Sequence, residues 1–357
     1  MIEGLDKLLE GQGQPGLAEL SELLEGLEIG DRRGWRLLSQ EPLQSPGRRV
    51  FRLQLACDGQ TRSFVAKRLA PAMARRSELI ARRWLPALGL KGACPALLGS
   101  AVVRDNSCAW QLYEDLGPWD LAQPDRQQLS AAVNLIAQIH TGFADHPLLG
   151  EIRLHGTDYG IHFFQTNVHD ALCALQAVNP PPDQCDLCTR LLDRLRHLSD
   201  QLPVRTRALT EFGGPETLLH GDLWTINVFV QRNNAGLEAR LLDWDRAGVG
   251  PASYDLSTFL LRFPEPDRAW ILNLYRKAVA SRGWHLPGER ELNQLFETAE
   301  LARYANRVIW PAIALVQDGA DWAFAELAEI EHWFENLEPV LPTTNQAQLR
   351  DLAVPVV

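Results

Sequence analysis

The stretch that most constrains this chain runs from Leu218 to Leu256, LLHGDLWTINVFVQRNNAGLEARLLDWDRAGVGPASYDL. Two apolar, branched runs, residues 227–230 and 239–242, flank a turn-rich segment over residues 232–236, which is the pattern of a β-hairpin. Folding that hairpin brings Asn227 beside Asp243, and Asp222 stands in a loop five residues before Asn227. A loop carboxylate, an amide and a carboxylate at the end of the return strand can together hold a divalent cation and orient a hydroxyl. Oxygen-only ligands of this kind suit Mg²⁺, which keeps several waters and takes few protein carboxylates, often beside phosphates. Phosphoryl transfer has that requirement, because its catalysis is mainly positioning and charge neutralisation. The plainer alternative leaves Asp222 and Asp243 as solvated turn residues.

In order, spacing and local structure, HGDLWTIN followed by LLDWDRAGVGPASYDL resembles the catalytic and metal-binding motifs of the aminoglycoside phosphotransferase and choline kinase-like superfamily, which is similar in fold to protein kinases. The resemblance covers most of residues 35–310. It implies an α+β, bilobal protein-kinase-like fold, with a small antiparallel-sheet N-lobe and a larger, mostly helical C-lobe. It also implies ATP and Mg²⁺. Carried over residue by residue, it makes Asp222 the group that orients the acceptor hydroxyl and takes its proton, and Asn227 and Asp243 the metal ligands. Asp245 would touch a second metal or support the loop, His220 would brace the loop, and Asp255 would bond backbone or cap the next helix.

Upstream, residues 16–28 place leucines at helical spacing and predict an amphipathic packing helix. Strands are expected over 35–38, 49–56, 61–69, 97–103 and 109–113, an antiparallel sheet. Ser45-Pro46-Gly47-Arg48-Arg49 falls where a kinase-like fold covers the nucleotide; its single Gly47 departs from the protein-kinase GxGxxG pattern, and an ordinary turn is the alternative. Phe64-Val65-Ala66-Lys67-Arg68-Leu69 resembles the VAIK-type strand, so Lys67 is expected at the α- and β-phosphates; strand alternation lets only one of Lys67 and Arg68 face the cleft. Glu78, on a helix over 71–88, matches the glutamate that pairs with this lysine, or is a surface partner of Arg82. QLYEDLG resembles the inter-lobe hinge and places Tyr113 and Glu114 at the adenine.

Beyond the hinge, helices are expected over 126–144, 165–176, 186–202, 269–281, 289–309 and 321–337. The pair before the motif block falls where relatives place substrate-selecting elements. His140 reads as a satisfied buried histidine. Trp270, Tyr275, Trp284, Tyr304, Trp310, Trp322 and Trp333 read as core, with an aromatic cage for a quaternary ammonium as the alternative. Cys185 and Cys188 form a CxxC without a second pair, so a structural thiol pair is expected rather than a zinc site. The domain boundaries expected are 1–34 for a helical extension, 35–114 and 115–342 for the lobes, and 343–357 for a tail.

No segment of the chain approaches the roughly 18 apolar residues of a membrane helix, and the amino terminus has no basic segment before an apolar run, so a cytoplasmic enzyme is expected. A net charge of −10 argues against a general nucleic-acid binder. Residues 1–114 hold 16 Lys+Arg and 13 Asp+Glu, residues 115–357 hold 19 and 32, so the net charge is +3 against −13. An acidic substrate lobe draws cations. The expected acceptor is a cationic or amine-bearing small molecule with a free hydroxyl: an aminoglycoside, an amino alcohol or an (amino)sugar. The alternatives are a solvated acidic face kept for solubility and a neutral sugar, which is also in the superfamily's range. Gly221, where protein kinases carry arginine, and the short span from Asp243 to Asp255 favour a small-molecule kinase over a protein kinase. A pseudokinase on the same fold is the competing class.

Overall fold

Period-two alternation along the strands between Arg36 and Glu114 decides the architecture of the amino-terminal part. The computed structural model describes residues 2, 5, 14–27, 35–43, 49–57, 60–117, 125–234 and 236–342. It begins with helix α1 (Leu17–Glu25), strands β1 (Arg36–Pro42), β2 (Val50–Cys57) and β3 (Gln60–Leu69), helix α2 (Pro71–Leu79), and strands β4 (Leu97–Val102) and β5 (Ala109–Glu114). The strands pair antiparallel in the order β1-β2-β3-β5-β4, with Lys67 opposite Gln111 and Val65 opposite Tyr113. Phe51, Leu53, Leu55, Phe64, Ala66, Trp110 and Leu112 share one face, which Leu20 and Leu24 of α1 close over. Full burial of a leucine is worth about 1.5–3 kcal/mol, so α1 is part of this core. The alternate residues Val50, Arg52, Val65, Lys67 and Tyr113 face the other side and line a cavity.

After Leu79 helix α2 opens into a π turn over Ile80–Trp84 before closing as Leu85–Ala87. Pro86 has no N–H to return to Arg82, and the Leu85 N–H reaches back to Ile80 O instead.

Helix α3 (Arg126–Phe143) is followed by α4 (Leu149–His155), β6 (Thr157–Asp158), α5 (Ile161–Gln176), α6 (Cys185–Asp200), α7 (Leu202–Phe212) and β7 (Glu216–Leu219). Then come the hairpin strands β8 (Val228–Asn233) and β9 (Gly236–Leu241), strand β10 (Gly248–Pro251), and helices α8 (Ser253–Leu260), α9 (Glu265–Ala280), α10 (Glu289–Asp318) and α11 (Trp322–Glu335). By contacts, the chain up to Leu135 groups with Ile226–Arg246, and Ile136–Thr225 groups with the chain from Ala247. This differs from the expected boundary after residue 114. The hairpin joins the sheet unit because it is bound there: Arg240 pairs with Glu114 at 2.5 Å and Asp243 with Lys67.

In the second unit α10 packs mainly against α5. Its expected end at residue 309 is overrun by nine residues, through an internal Pro311. Val308, Pro311 and Ala312 are all buried, and that packing outweighs the one hydrogen bond proline removes. Cys188 is buried in the same helical core, while Cys185 is exposed at the start of α6. No helix among the described residues is long and apolar enough to cross a membrane.

A small sheet, β6-β10-β7, ties α4 to the loop that follows β7. Gly248 pairs with Thr157 on one side and Leu219 on the other, and a Cβ placed there would lie 2.0 Å from Thr157 O and 2.7 Å from Tyr159 Cε2. Gly248→Ala is expected to destabilise the protein by about 1–3 kcal/mol through overpacking. Gly150→Ala, on α4 with nothing within 4 Å, should be neutral or slightly stabilising. Thermal melts of the two variants check this; equal Tm values would refute the steric account.

Candidate active site

The face of the sheet opposite α1 forms one wall of a cavity of about 600 Å³ within the first unit. Val50 and Val65 contribute apolar surface from the sheet, and Ile226, Phe229 and Leu242 contribute it from the hairpin. Two apolar walls make a slot suited to a flat ring, in the size range of small-ligand pockets. The segment Tyr113–Gly117 borders it, as do Lys67, Asn227, Asp243 and Asp245.

At Lys67 the charges meet. Its Nζ lies 2.5 Å from Asp243 Oδ1 and 2.7 Å from Asp245 Oδ2. Burial pushes the ammonium pKa down, but the two carboxylates outweigh it and hold the pKa above its ordinary value. Burial pushes the Asp245 carboxyl up, against the pull of Lys67 and with the push of Asp243. Arg68, the neighbouring cation, turns away and donates to Gln14 Oε1, as strand alternation requires. Asp243 is set by its backbone: φ is 59°, a left-handed conformation uncommon outside glycine and most tolerated by Asp and Asn. The Leu242 N–H donates to Asn227 O at 2.8 Å, so the hairpin places Asn227 next to Asp243 as its pattern predicted.

Glu78 does not reach Lys67. Its carboxylate takes Arg75 at 3.4 Å and Arg82 at 3.1 Å on its own helix. Helix geometry explains the correction: Ser77, Ile80 and Ala81 face the cavity, and Glu78 is a step of about 100° beyond Ser77. From α2 it is Arg76 that reaches the Asp243–Asp245 segment, its guanidinium donating to Asp245 O. Nothing in the ARRSEL sequence distinguishes Arg76 from its neighbouring arginine, so sequence reasoning missed it. It also missed that Asp245 pairs directly with Lys67.

The hinge expectation is modified as well. Glu114 lines the cavity, but its N–H donates to Ala96 O, and its carboxylate accepts from the Ala96 N–H and from Arg240. Asp115, Leu116 and Gly117 also line the cavity, with the Gly117 N–H taken by Asp115 Oδ1 at 3.0 Å. The Tyr113 hydroxyl donates to Gln111 Oε1, and burial raises its pKa well above the usual range. Cys94, also on the cavity wall, has its thiol pushed by burial up to about 12. Gly47 lies outside the described residues.

Asp222 belongs to the second unit, in the loop after β7. Gly221 before it has φ 81°, a conformation open to glycine. The backbone N–H groups of His220 and Gly221 both donate to the Asp255 carboxylate, at 2.7 and 2.9 Å. The Asp222 N–H donates to His220 Nδ1 at 3.4 Å, so His220 braces the loop from within. Asp255, in the first turn of α8, is buried, and its other contact is His140 Nε2 at 3.4 Å; His140 Nδ1 in turn meets the Tyr275 hydroxyl at 2.9 Å. Burial alone would raise the Asp255 carboxyl, but His140, His220 and the Gly221 N–H outweigh it and hold the pKa below the ordinary carboxylate value. Tyr275 is thus spent on His140, and Tyr304 packs against Trp333 and Phe334, while Trp310 and Trp322 are exposed.

Whether a divalent cation fits can be judged from the donors. Among the described residues no three His, Cys, Asp or Glu side chains form a metal cluster. Asp243, Asp245 and the Asn227 amide offer only oxygens, and Asp245 Oδ1 is buried without a hydrogen-bond partner. Two carboxylates and an amide are too few for an all-protein cage but suit a hard cation whose shell is completed by phosphate and water.

An antiparallel sheet unit joined to a larger helical one, with a strand lysine held by an Asp-x-Asp turn, is the arrangement of kinase-like enzymes. A family model described as the phosphotransferase enzyme family matches residues 47–292, and the chain belongs to that family. Among solved structures, it is similar to a spectinomycin phosphotransferase in complex with ADP and spectinomycin, at 13% identity and TM-score 0.56 over 91% of this chain and 100% of that one. It is similar to a Plasmodium vivax ethanolamine kinase, at 12% identity and TM-score 0.56 over 84% and 81%. An aminoglycoside phosphotransferase from Streptomyces rimosus, in complex with ADP and streptomycin, matches at 18% identity and TM-score 0.50 over 82% and 98%. A comparison with curated proteins returns no match.

Asp255→Asn should destabilise the protein by roughly 1–3 kcal/mol at neutral pH, because an amide cannot accept from both loop N–H groups and His140. The folded pKa lies below the unfolded value of about 3.9, so this contribution is complete above that value and is lost as pH falls through the folded pKa. The Tm difference from wild type, followed by thermal melts across pH, should therefore narrow below about pH 4. A difference that stays constant into strong acid would remove the carboxylate's charge from the explanation.

Proposed function

We propose that this protein is an ATP-dependent small-molecule kinase that transfers the γ-phosphoryl group of ATP to an acceptor hydroxyl. The observation that carries the reading is Lys67 held by Asp243 and Asp245 in the wall of an apolar-walled cavity, in a chain of the phosphotransferase family. The slot takes the adenine ring against Val50, Val65, Phe229 and Leu242, with Asp115–Gly117 at its edge. Lys67 lies against the α- and β-phosphates. Asn227 and Asp243 would hold Mg²⁺, with Asp245 at its side, and the cation when bound neutralises phosphate charge as the loose transition state develops. Asp222 orients the acceptor hydroxyl and accepts its proton, on a loop fixed by Asp255 and His220.

Two features support a small-molecule acceptor over a protein. Between Asp243 and Asp255 the chain makes only a single turn, β10 and the start of α8, with no room for an activation loop. Gly221 replaces the arginine that would receive a regulatory phosphate. The solved relatives carry streptomycin or spectinomycin, or act as an ethanolamine kinase, which supports an acceptor of the aminoglycoside, amino-alcohol or (amino)sugar kind. Lysine, catalytic aspartate and metal-ligand candidates are all present in the sequence, which supports an active kinase; the single-glycine loop at Gly47 is the one feature on the side of a pseudokinase.

Asp222→Asn should retain the fold and ATP·Mg²⁺ binding but lose transfer by roughly two to four decades, the usual effect of removing a general base; turnover near wild type on the true acceptor would take Asp222 out of this role. Lys67→Ala should impair use of the triphosphate, whereas Glu78→Ala should leave the KM for ATP within about twofold of wild type, since surface ion pairs on one helix are worth little. Steady-state kinetics with varied ATP check both, and a Glu78→Ala defect as large as that of Lys67→Ala would restore the pair that the geometry separates.

A further inference from the structure

Two arginines of the second unit stand in one electrostatic neighbourhood and are treated differently. Arg303, on α10, is fully committed: its guanidinium contacts the Glu300 carboxylate, Ser257 Oγ and Tyr254 O, and stacks over the Tyr254 ring at 3.7 Å. Arg262, just after α8, lies with Cζ 3.7 Å from the centroid of the Trp224 ring, two residues from Asp222 in the same loop. No carboxylate or other acceptor among the described residues takes a hydrogen bond from it. Arg262 is exposed. Desolvation of the guanidinium lowers its pKa, opposed by Glu300, Tyr304 and Asp222. A guanidinium is a planar fork of five donors; stacking fixes its plane and spends none of those donors.

We propose that Arg262, clamped on Trp224 beside Asp222, anchors an anionic group of the phosphoryl acceptor, a carboxylate or a phosphate carried by the same small molecule as the reacting hydroxyl. This rests on the kinase reading above and narrows it to hydroxy acids, hydroxylated amino acids and phosphorylated alcohols or sugars. It replaces the simple cation expected from net charge. The second unit holds 15 Lys+Arg and 26 Asp+Glu, but that balance belongs to the whole surface, whereas the charge next to the reacting hydroxyl is local. There Glu300 is neutralised by Arg303, and Arg262, whose donors no described acceptor takes, stands over the ring of Trp224, which is two residues along the loop from Asp222. An acceptor with a hydroxyl at one end and an anion at the other satisfies both. A bidentate contact to a fixed guanidinium also positions the hydroxyl, since it sets an angle as well as a distance.

The test is a paired panel. Hydroxy acids and hydroxylated amino acids are each assayed beside their amide or methyl ester, sugar and alcohol phosphates beside the unphosphorylated compound, and simple amino alcohols and aminoglycosides alongside. ATP·Mg²⁺ binding is measured separately by calorimetry. Wild type should turn over at least one anionic acceptor with kcat/KM roughly 10- to 100-fold above its neutral counterpart, the range of a charge-assisted hydrogen bond. Which arm responds identifies carboxylate or phosphate. Arg262→Gln should bring that ratio close to one through the KM of the anionic acceptor, and Arg262→Lys, which keeps charge but not the stacked fork, should fall between. Binding of ATP with transfer to no anionic acceptor overturns the inference and leaves the kinase reading standing; loss of kcat on every acceptor alike in Arg262→Gln overturns it too, by assigning the arginine to the transferred group. Failure of wild type to bind ATP defeats both.

Discussion

Lys67 between Asp243 and Asp245 is the interaction on which the first unit's chemistry depends. Two carboxylates brought together near an apolar slot repel, and one ammonium leaves the trio with a net negative charge. Such a cluster is a weak source of stability, because desolvating the charges offsets much of their attraction. It persists because three elements hold it. Alternation along β3 aims Lys67 at the cavity, the β8–β9 hairpin ends at Asp243 in a left-handed conformation, and Arg76 of α2 grips the Asp245 carbonyl. The result is an anionic oxygen array with a buried Asp245 oxygen that accepts no hydrogen bond, the feature on which the proposed cation site rests.

The second unit solves a related problem with one carboxylate. Asp255 spends both oxygens on the backbone of the loop before Asp222 and on His140. The Asp222 N–H adds a bond to His220 Nδ1, so the loop is held from both sides of Gly221. Gly221, just after the two N–H groups bonded to Asp255, supplies the left-handed turn that carries the chain into Asp222. Gly248 does comparable work on the sheet side, letting β10 approach β6 more closely than any side chain would allow.

Charge gives opposite answers at different scales. Summed over the helical unit it is acidic; in the loop that carries Asp222 it includes a guanidinium held by an indole. A surface charge about a Debye length away is screened, while a contact is not, so for recognition the nearer group decides. The proposed anionic acceptor follows from that ranking.

Much of the fold and the motif chemistry was legible in the chain. Alternating and helical periodicities located the five-stranded sheet and the hairpin, and the two apolar runs flanking the turn-rich 232–236 segment implied that Asn227 and Asp243 would be neighbours. Lys67 over Arg68 followed from alternation alone. What the sequence could not determine were contacts set by rotation and packing. Glu78 and Ser77 differ by one helical step, and only the tertiary docking of α2 decides that Ser77 faces the cavity and Arg76 the Asp245 carbonyl. The register of β5 against β4, invisible in a single strand, takes the Glu114 N–H away from the cavity. Burial carries α10 through Pro311, against local propensity. Arg262 lies 38 residues after Trp224 in the chain, and no periodicity links an arginine in a post-helix turn to a loop tryptophan. Local sequence specifies conformation at short range, where backbone sterics and side-chain period dominate; which side chains share a site is decided by packing among elements distant in the chain.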